Sequence, residues 1–344
     1  MSETIQEAGG LWRTHRRTIL NVADRLGPLL SLGVVVAFFA WRGSNFLTWG
    51  NGLNIGVQTA VFGILALGET FVIIAGGIDL SVGAVTALAG VVAAVTMKSG
   101  HSPLEGILAG LAVGGGVGLT NGLISAYGKL PSFVVTLGTM LIARGLALSV
   151  AGGVNISGLP DAFTNCMGGT FYIGGKTAEA VGTWREVREP VLILLVAALG
   201  AHLLLSRTRM GRYTYAMGSN AEATRLSGVN IRAYQTAIFT LMGLLAGLAG
   251  LVQATRISAG SPTTAEWYEL SAIAATVIGG TSLMGGEGGI AGTLIGALML
   301  GVVANGLDLC NADPYWQKIA TGAIIVFAVF LDRLRARARK SLQE

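Results

Sequence analysis

Ten apolar stretches separated by short polar segments constrain this chain more than any other feature. They fall at approximately Pro28–Phe46, Val57–Ala75, Leu80–Met97, Leu104–Tyr127, Ser132–Ala151, Pro190–Ser206, Ala233–Thr255, Leu270–Leu283, Gly288–Leu307 and Tyr315–Leu331. A helix needs about 20 apolar residues to cross the hydrocarbon core of a bilayer. Only 12% of the chain is charged and its mean hydropathy is +0.65, against about 25% charge in a soluble domain. The fold class is therefore all-α, a polytopic membrane protein with about ten transmembrane helices. The eighth stretch is short, and its ends are the hardest to fix. The 52 glycines fit helices that pack backbone to backbone through small residues.

Lys and Arg set the orientation, because they concentrate in cytoplasmic loops. With the N-terminus inside, 15 of the 23 basic residues lie inside, seven lie outside, and Arg144 lies within a span. The expected organisation is a cytoplasmic N-terminal segment over 1–27, a transmembrane region over 28–331 and a basic cytoplasmic tail over 332–344. The first apolar run is long for a signal peptide and reads as an uncleaved first span. The same topology gives a long external loop, 152–189, rich in charge and aromatics. The basic residues sit at span ends and share no soluble face, so the net charge of +5 does not point to nucleic acid.

One polar, basic island interrupts this pattern at 207–232. Its five arginines, Arg207, Arg209, Arg212, Arg225 and Arg232, face one acid, Glu222. Its second half reads as a short helix from Asn220 to Gly228: Asn220 caps it, Glu222 suits the first turn, Arg225 the last, and Gly228 ends it. Such a helix between two spans has the shape of a mechanical contact for a soluble partner. It reads equally as a basic loop that only fixes orientation.

Two inside turns are rich in glycine. One holds Gly76, Gly77, Asp79, Ser81 and Gly83; the other holds Gly279, Gly280, Gly285 and Gly286. They read either as tight turns with capping residues or as irregular backbone near an inner gate, because such backbone at membrane depth must be buried in protein or reached by water. Polar residues within spans are costly and often functional. Glu69, Asn121, Thr136, Thr139, Arg144 and Asn305 stand out. Glu69 and Arg144 are a candidate pair. Asn121, Thr136 and Asn305 are candidates for a pathway lining, with interhelical hydrogen bonding as the alternative for the asparagines.

Catalytic motifs are missing from the sequence. The three histidines are scattered, and neither a nucleophile elbow nor a metal-ligand spacing occurs. The segment GGTFYIGGKT resembles a phosphate-binding loop, but Thr170 stands where the first glycine is required, so this chain is not expected to bind ATP. Cys166 and Cys310 form no metal or redox spacing.

Three segments, TFVIIAGGIDLSVGAV (70–85), MGRYTYAMGSNAEATRLSGVNI (210–231) and ATVIGGTSLMGGEGGIAGTLIGALMLGVVANGL (275–307), resemble the membrane subunits of bacterial ABC importers for monosaccharides. This is the ribose/xylose/arabinose/galactose permease group, with autoinducer-2 permeases as close relatives, and the resemblance covers nearly all of 28–335. It implies a type II importer-like arrangement in the bacterial inner membrane. It implies a second permease copy or sibling, two cytoplasmic ATPase subunits that hold the ATP and Mg, and a periplasmic sugar-binding protein. The family's coupling segment falls on Gly218, Asn220, Glu222, Ala223, Arg225, Leu226 and Gly228. An ion-coupled secondary transporter, with Glu69 as its titrating carboxylate, is the principal rival reading.

Overall fold

The computed structural model describes residues 27–43, 45–172 and 186–313, and helical residues between 315 and 330. The 1–27 segment up to residue 26, the central part of the loop expected to be external (173–185, with Lys176, Glu179, Trp184 and Arg185) and the basic tail lie outside the described residues.

Every expected apolar stretch contains helix where described. Six helices are long enough to cross a bilayer: α2 (Trp49–Ile74), α4 (Pro103–Gly128), α5 (Ser132–Ala151), α7 (Glu189–Arg207), α10 (Ile231–Arg256) and α12 (Ile290–Leu309). Three apolar helices are shorter: α1 (Gly27–Arg42), α3 (Val82–Lys98) and α11 (Tyr268–Ile278). Polar connections supply α6 (Asp161–Gly168), α8 (Arg209–Ser219) and α9 (Ala221–Leu226). Two antiparallel pairs of very short strands complete the described elements. β1 (Ile156–Ser157) pairs with β4 (Ala259–Gly260), and β2 (Thr170–Tyr172) pairs with β3 (Glu186–Arg188).

Helix α2 is the axis of the bundle. All its residues from Gly63 to Ile74 are buried, and α7, α10, α11 and α12 pack around it. The α3–α4–α10 layer is held by small residues. On α4, Gly114 and Gly118 face Gly243 and Gly247 of α10 so closely that an added Cβ would collide with the opposing backbone. Without a hydrophobic driving force between helices in lipid, such close approach provides the van der Waals attraction. By contrast, α5 and α7 leave long apolar faces exposed, including Leu141, Ile142, Val196 and Leu199.

Two apolar stretches depart from the simple ten-span picture. Helix α3 starts at Val82: a tight turn at Ala75–Gly76 closes α2, and 77–81 then runs on without helical structure. Helix α11 has only 11 residues, about 16 Å at 1.5 Å per residue, half a bilayer core. The preceding chain dips into the bundle to complete it. Gly260 packs beside Ala94 near the end of α3, while Ala265 reaches Gly83 near its start. Two irregular segments thus enter the bundle from opposite ends.

Overpacking the α4–α10 crossing has a clear expected cost. Gly118→Leu forces the backbones apart and destabilises the chain by about 1–3 kcal/mol or more. Gly116→Leu, on the open face of the same helix, leaves the detergent unfolding temperature unchanged. Thermal unfolding of the two variants side by side checks this.

Candidate functional site: a supported break and the helix that rests on it

The non-helical segment after α2 places backbone amides inside the bundle, where each unsatisfied group costs several kcal/mol. Four consecutive N–H groups find side-chain partners. Ile78 N–H donates to Ser132 Oγ (3.1 Å), Asp79 N–H to Glu69 Oε1 (3.1 Å), Leu80 N–H to Thr136 Oγ1 (3.0 Å) and Ser81 N–H to Asp79 Oδ1 (2.8 Å). Ser81 Oγ–H also donates to Asp79 Oδ1 (2.6 Å). Asn121 Nδ2 donates to Ser81 Oγ (3.0 Å), and Thr139 Oγ1 donates to Asn121 Oδ1 (2.6 Å). One network from α2, α4 and α5 therefore fixes the break.

This network accounts for several residues singled out above. Asn121 and Thr136 are fully buried and stand behind the helix surfaces, holding the break with their polar atoms. Glu69 and Arg144 do not pair. Glu69 is spent on the break, and Arg144 Nη1 donates to the carbonyls of Pro262 and Thr264, both at 2.8 Å. Ser81 is the N-cap of α3 but its side chain makes no capping bond; Asp79 Oδ1 takes the N–H and Oγ–H of Ser81 itself, so neither residue caps a first-turn amide. Ser132 was not singled out from the sequence, although Ser132, Thr136 and Thr139 recur at i, i+4 and i+7 on one face of α5, a polar stripe on an apolar helix.

The glycine-rich turns and the basic island meet at one end of the bundle. Helix α8 is amphipathic, burying Gly211, Thr214 and Met217. Its Gly218 lies against the Ile74 carbonyl and the Gly286 amide, with no room for a Cβ. Gly286 N–H donates to Ile74 O (2.9 Å), and Tyr215 Oη–H donates to Gly288 O (2.8 Å). Gly76, Gly280, Gly285 and Gly286 all adopt positive φ, which glycine accepts at no steric cost. Gly279 lies against Gly292 at the α11–α12 junction, and Gly83 lies against Ala265 and Glu269. A cavity of about 230 Å³ between Gly76, Gly77, Pro131 and Ala221 opens beside the entrance to the break.

Beyond Gly218 the chain turns outward into α9. Asn220 caps it, accepting Ala223 N–H on Oδ1 at 2.9 Å, and Gly228 follows at φ +85°. Thr224 faces inward, and the other α9 residues are exposed, Leu226 at 74%. Arg225 donates to both carboxylate oxygens of Glu222, at 3.1 and 2.5 Å. That bond holds the Glu222 carboxyl below its ordinary range and raises the Arg225 guanidinium. An exposed pair of this kind contributes little stability, so its charges remain available to a partner.

Asn305 lies at the opposite end. It is buried, its Oδ1 lacks a hydrogen-bond partner, and it borders a cavity of about 530 Å³ with Asn51, Asn54, Gln58, Arg188, Arg256 and Asp308. Part of the 152–189 loop packs at this end, where α6 inserts Phe163 into the core and Gly168 meets Thr255. Among the described residues, no group of three or more His, Cys, Asp or Glu is placed to hold a metal.

A profile described as "Branched-chain amino acid transport system / permease component" matches residues 51–329. The chain belongs to this permease family. It is 42% identical over 306 residues to the ribose import permease protein RbsC of Escherichia coli K12, covering 88% of this chain and 92% of that one. It is 37% identical over 313 residues to the D-allose transport system permease protein AlsC of the same organism, with 90% and 92% covered. The xylose transport system permease protein XylH, again from that strain, is 35% identical over 355 aligned residues, with 88% and 90% covered. No solved structure matches. As an ABC permease component, the chain is a multi-pass membrane protein without catalytic activity of its own. The family implies an ATPase partner, which binds the ATP, and a binding-protein partner.

The break network yields one direct expectation. Thr136→Val keeps the side-chain volume but strands the Leu80 N–H, at a cost of about 1–3 kcal/mol. Thermal unfolding in mild detergent should drop for this variant and stay unchanged for Glu222→Gln on the exposed helix.

Proposed function

We propose that this chain is the permease subunit of a monosaccharide ABC importer of the ribose/xylose type, driven through α9. The observation that carries the coupling role is the contact at Gly218. An exposed, capped helix, charged on its surface, continues directly into a residue wedged between the end of α2 and the 279–289 loop. Movement of α9 therefore acts on the start of the break and on the α11–α12 junction together. A partner ATPase docks on Asn220, Glu222, Ala223, Arg225, Leu226 and the Gly228 turn. Closure of the ATPase pair on ATP displaces this helix and reopens the path on the other side.

The excess of basic residues at the α8–α9 end supports a cytoplasmic position for that end and for both termini. The chain works beside a second permease, either another copy or a sibling subunit. A periplasmic sugar-binding protein then docks at the opposite end, where Asn305 opens on the outer cavity and the 152–189 loop packs. That cavity mixes amides, two arginines and one carboxylate, groups that accept from and donate to sugar hydroxyls. The path needs no tight site of its own, since a ligand bound equally in both states shifts neither. Which sugar is carried follows from the delivering protein, and the ribose, allose and xylose permeases among the relatives define the class to try first.

The coupling role is tested in membranes containing the complete transporter. Glu222→Ala and Arg225→Ala should each lower ATP-driven sugar uptake by about tenfold, a loss of roughly 1.4 kcal/mol in coupling. Immunoblots should show normal amounts of the chain in the membrane. Unchanged uptake in both variants removes the coupling role from α9.

A further inference from the structure

We infer that Glu266 and Trp267, at the tip of the segment that dips in before α11, form a water-facing contact for the sugar midway across the membrane. This rests on the reading of the chain as a sugar permease and names where in the path the sugar is touched.

Depth comes first. Ala265 lies against Gly83, whereas Lys98 ends the same helix 15 residues later, about 22 Å away at 1.5 Å per residue. Tyr268 packs on Phe62, with ring centroids 4.6 Å apart, and Phe62 lies near the middle of the 26-residue α2. Arg144, which holds the Pro262 and Thr264 carbonyls, is the thirteenth residue of the 20-residue α5. Three neighbours on three helices thus agree that the tip sits deep in the bundle.

Exposure comes second. Trp267 is 60% exposed, and Glu266 and Thr263 beside it are exposed as well. A carboxylate turned to the hydrocarbon core is among the costliest arrangements in a membrane protein, and irregular backbone there is tolerated only in protein or beside water. The surface bearing Glu266 therefore borders an aqueous path rather than lipid.

Chemistry and strain complete the argument. A monosaccharide offers an apolar C–H face and a rim of hydroxyls. The Trp267 indole covers the first, the Glu266 carboxylate accepts from the second, and sites of this mixed character recur in small-molecule pockets. The backbone is held in place against its preference. Ala265 and Trp267 have φ of +56° and +67°, left-handed values that are rare for residues with a Cβ. Such strain persists where the surroundings over-determine it and concentrates at functional positions. Here Arg144 on two carbonyls and Gln253 Nε2 on Thr264 Oγ1 (2.9 Å) supply that hold.

The test uses the complete transporter in membranes, in a Cys166→Ser/Cys310→Ser background. Glu266→Cys, Trp267→Cys and, as a lipid-facing control on α7, Leu199→Cys are treated with a charged, membrane-impermeant methanethiosulfonate. Both tip positions should be labelled and position 199 should not. Saturating D-ribose, D-xylose or D-allose should slow labelling at 266 or 267 by about tenfold, an occupancy effect of about 1.4 kcal/mol. A tip that stays unlabelled at both positions overturns the water-facing assignment. Labelling that none of the three sugars slows overturns the sugar contact. Failure of the wild-type transporter to take up any sugar with ATP would instead overturn the function proposed above.

Discussion

Backbone amides inside a membrane must find partners, and the rest of this structure is arranged around that requirement at one place. Between Ile74 and Val82 the chain is not helical, yet it runs through the bundle. Ser132, Glu69, Thr136 and Asp79 take the four amides from Ile78 to Ser81 in succession, and Asn121 and Thr139 lock the far end. With those hydrogen bonds made, α3 starts partway through the bundle without exposing polar backbone to lipid. Its start then leaves room for Ala265 beside Gly83, and the second irregular segment can enter from the other end.

The break also explains how a chain with no catalytic machinery can be driven. Packed interfaces in proteins switch between arrangements rather than deform continuously. Gly218 joins the exposed α9 to the α2 terminus and the 279–289 loop through backbone contacts that contain no compressible side chain. On the proposed function, a push at α9 would reach the two places where helices are interrupted. Long helices such as α4 and α10, locked by facing glycines, supply the stiff frame against which those interruptions can move.

Much of this was legible in the sequence, for physical reasons. Apolar length marked the helices, because the bilayer sets that length. The α9 cap was legible because Asn220, Glu222, Arg225 and Gly228 each carry a local preference that no tertiary contact overrode. The role of Asn121 and Thr136 was not, because a buried hydrogen bond and a pathway contact demand the same residue type at the same place. The crossing that α11 completes was hidden as well. Gly279 and Gly280 do mark its end at Ile278, but nothing local to the sequence says that the chain before it, from Ala259 to Trp267, dips into the bundle to complete the crossing. The depth of Trp267 and Glu266 is not legible either, because they sit in a short connection that hydropathy assigns to the surface, whereas their depth is set by Arg144, Phe62 and Gly83, all distant in the chain.

The central claim is that this membrane unit moves solute only when force reaches α9 from a partner. Uptake of labelled sugar into proteoliposomes tests it most directly, comparing the purified chain alone with the chain reconstituted with its ATPase, its binding protein and ATP. The account requires accumulation in the complete system and none with the chain alone under a proton or sodium gradient. Uphill uptake by the chain alone would contradict it.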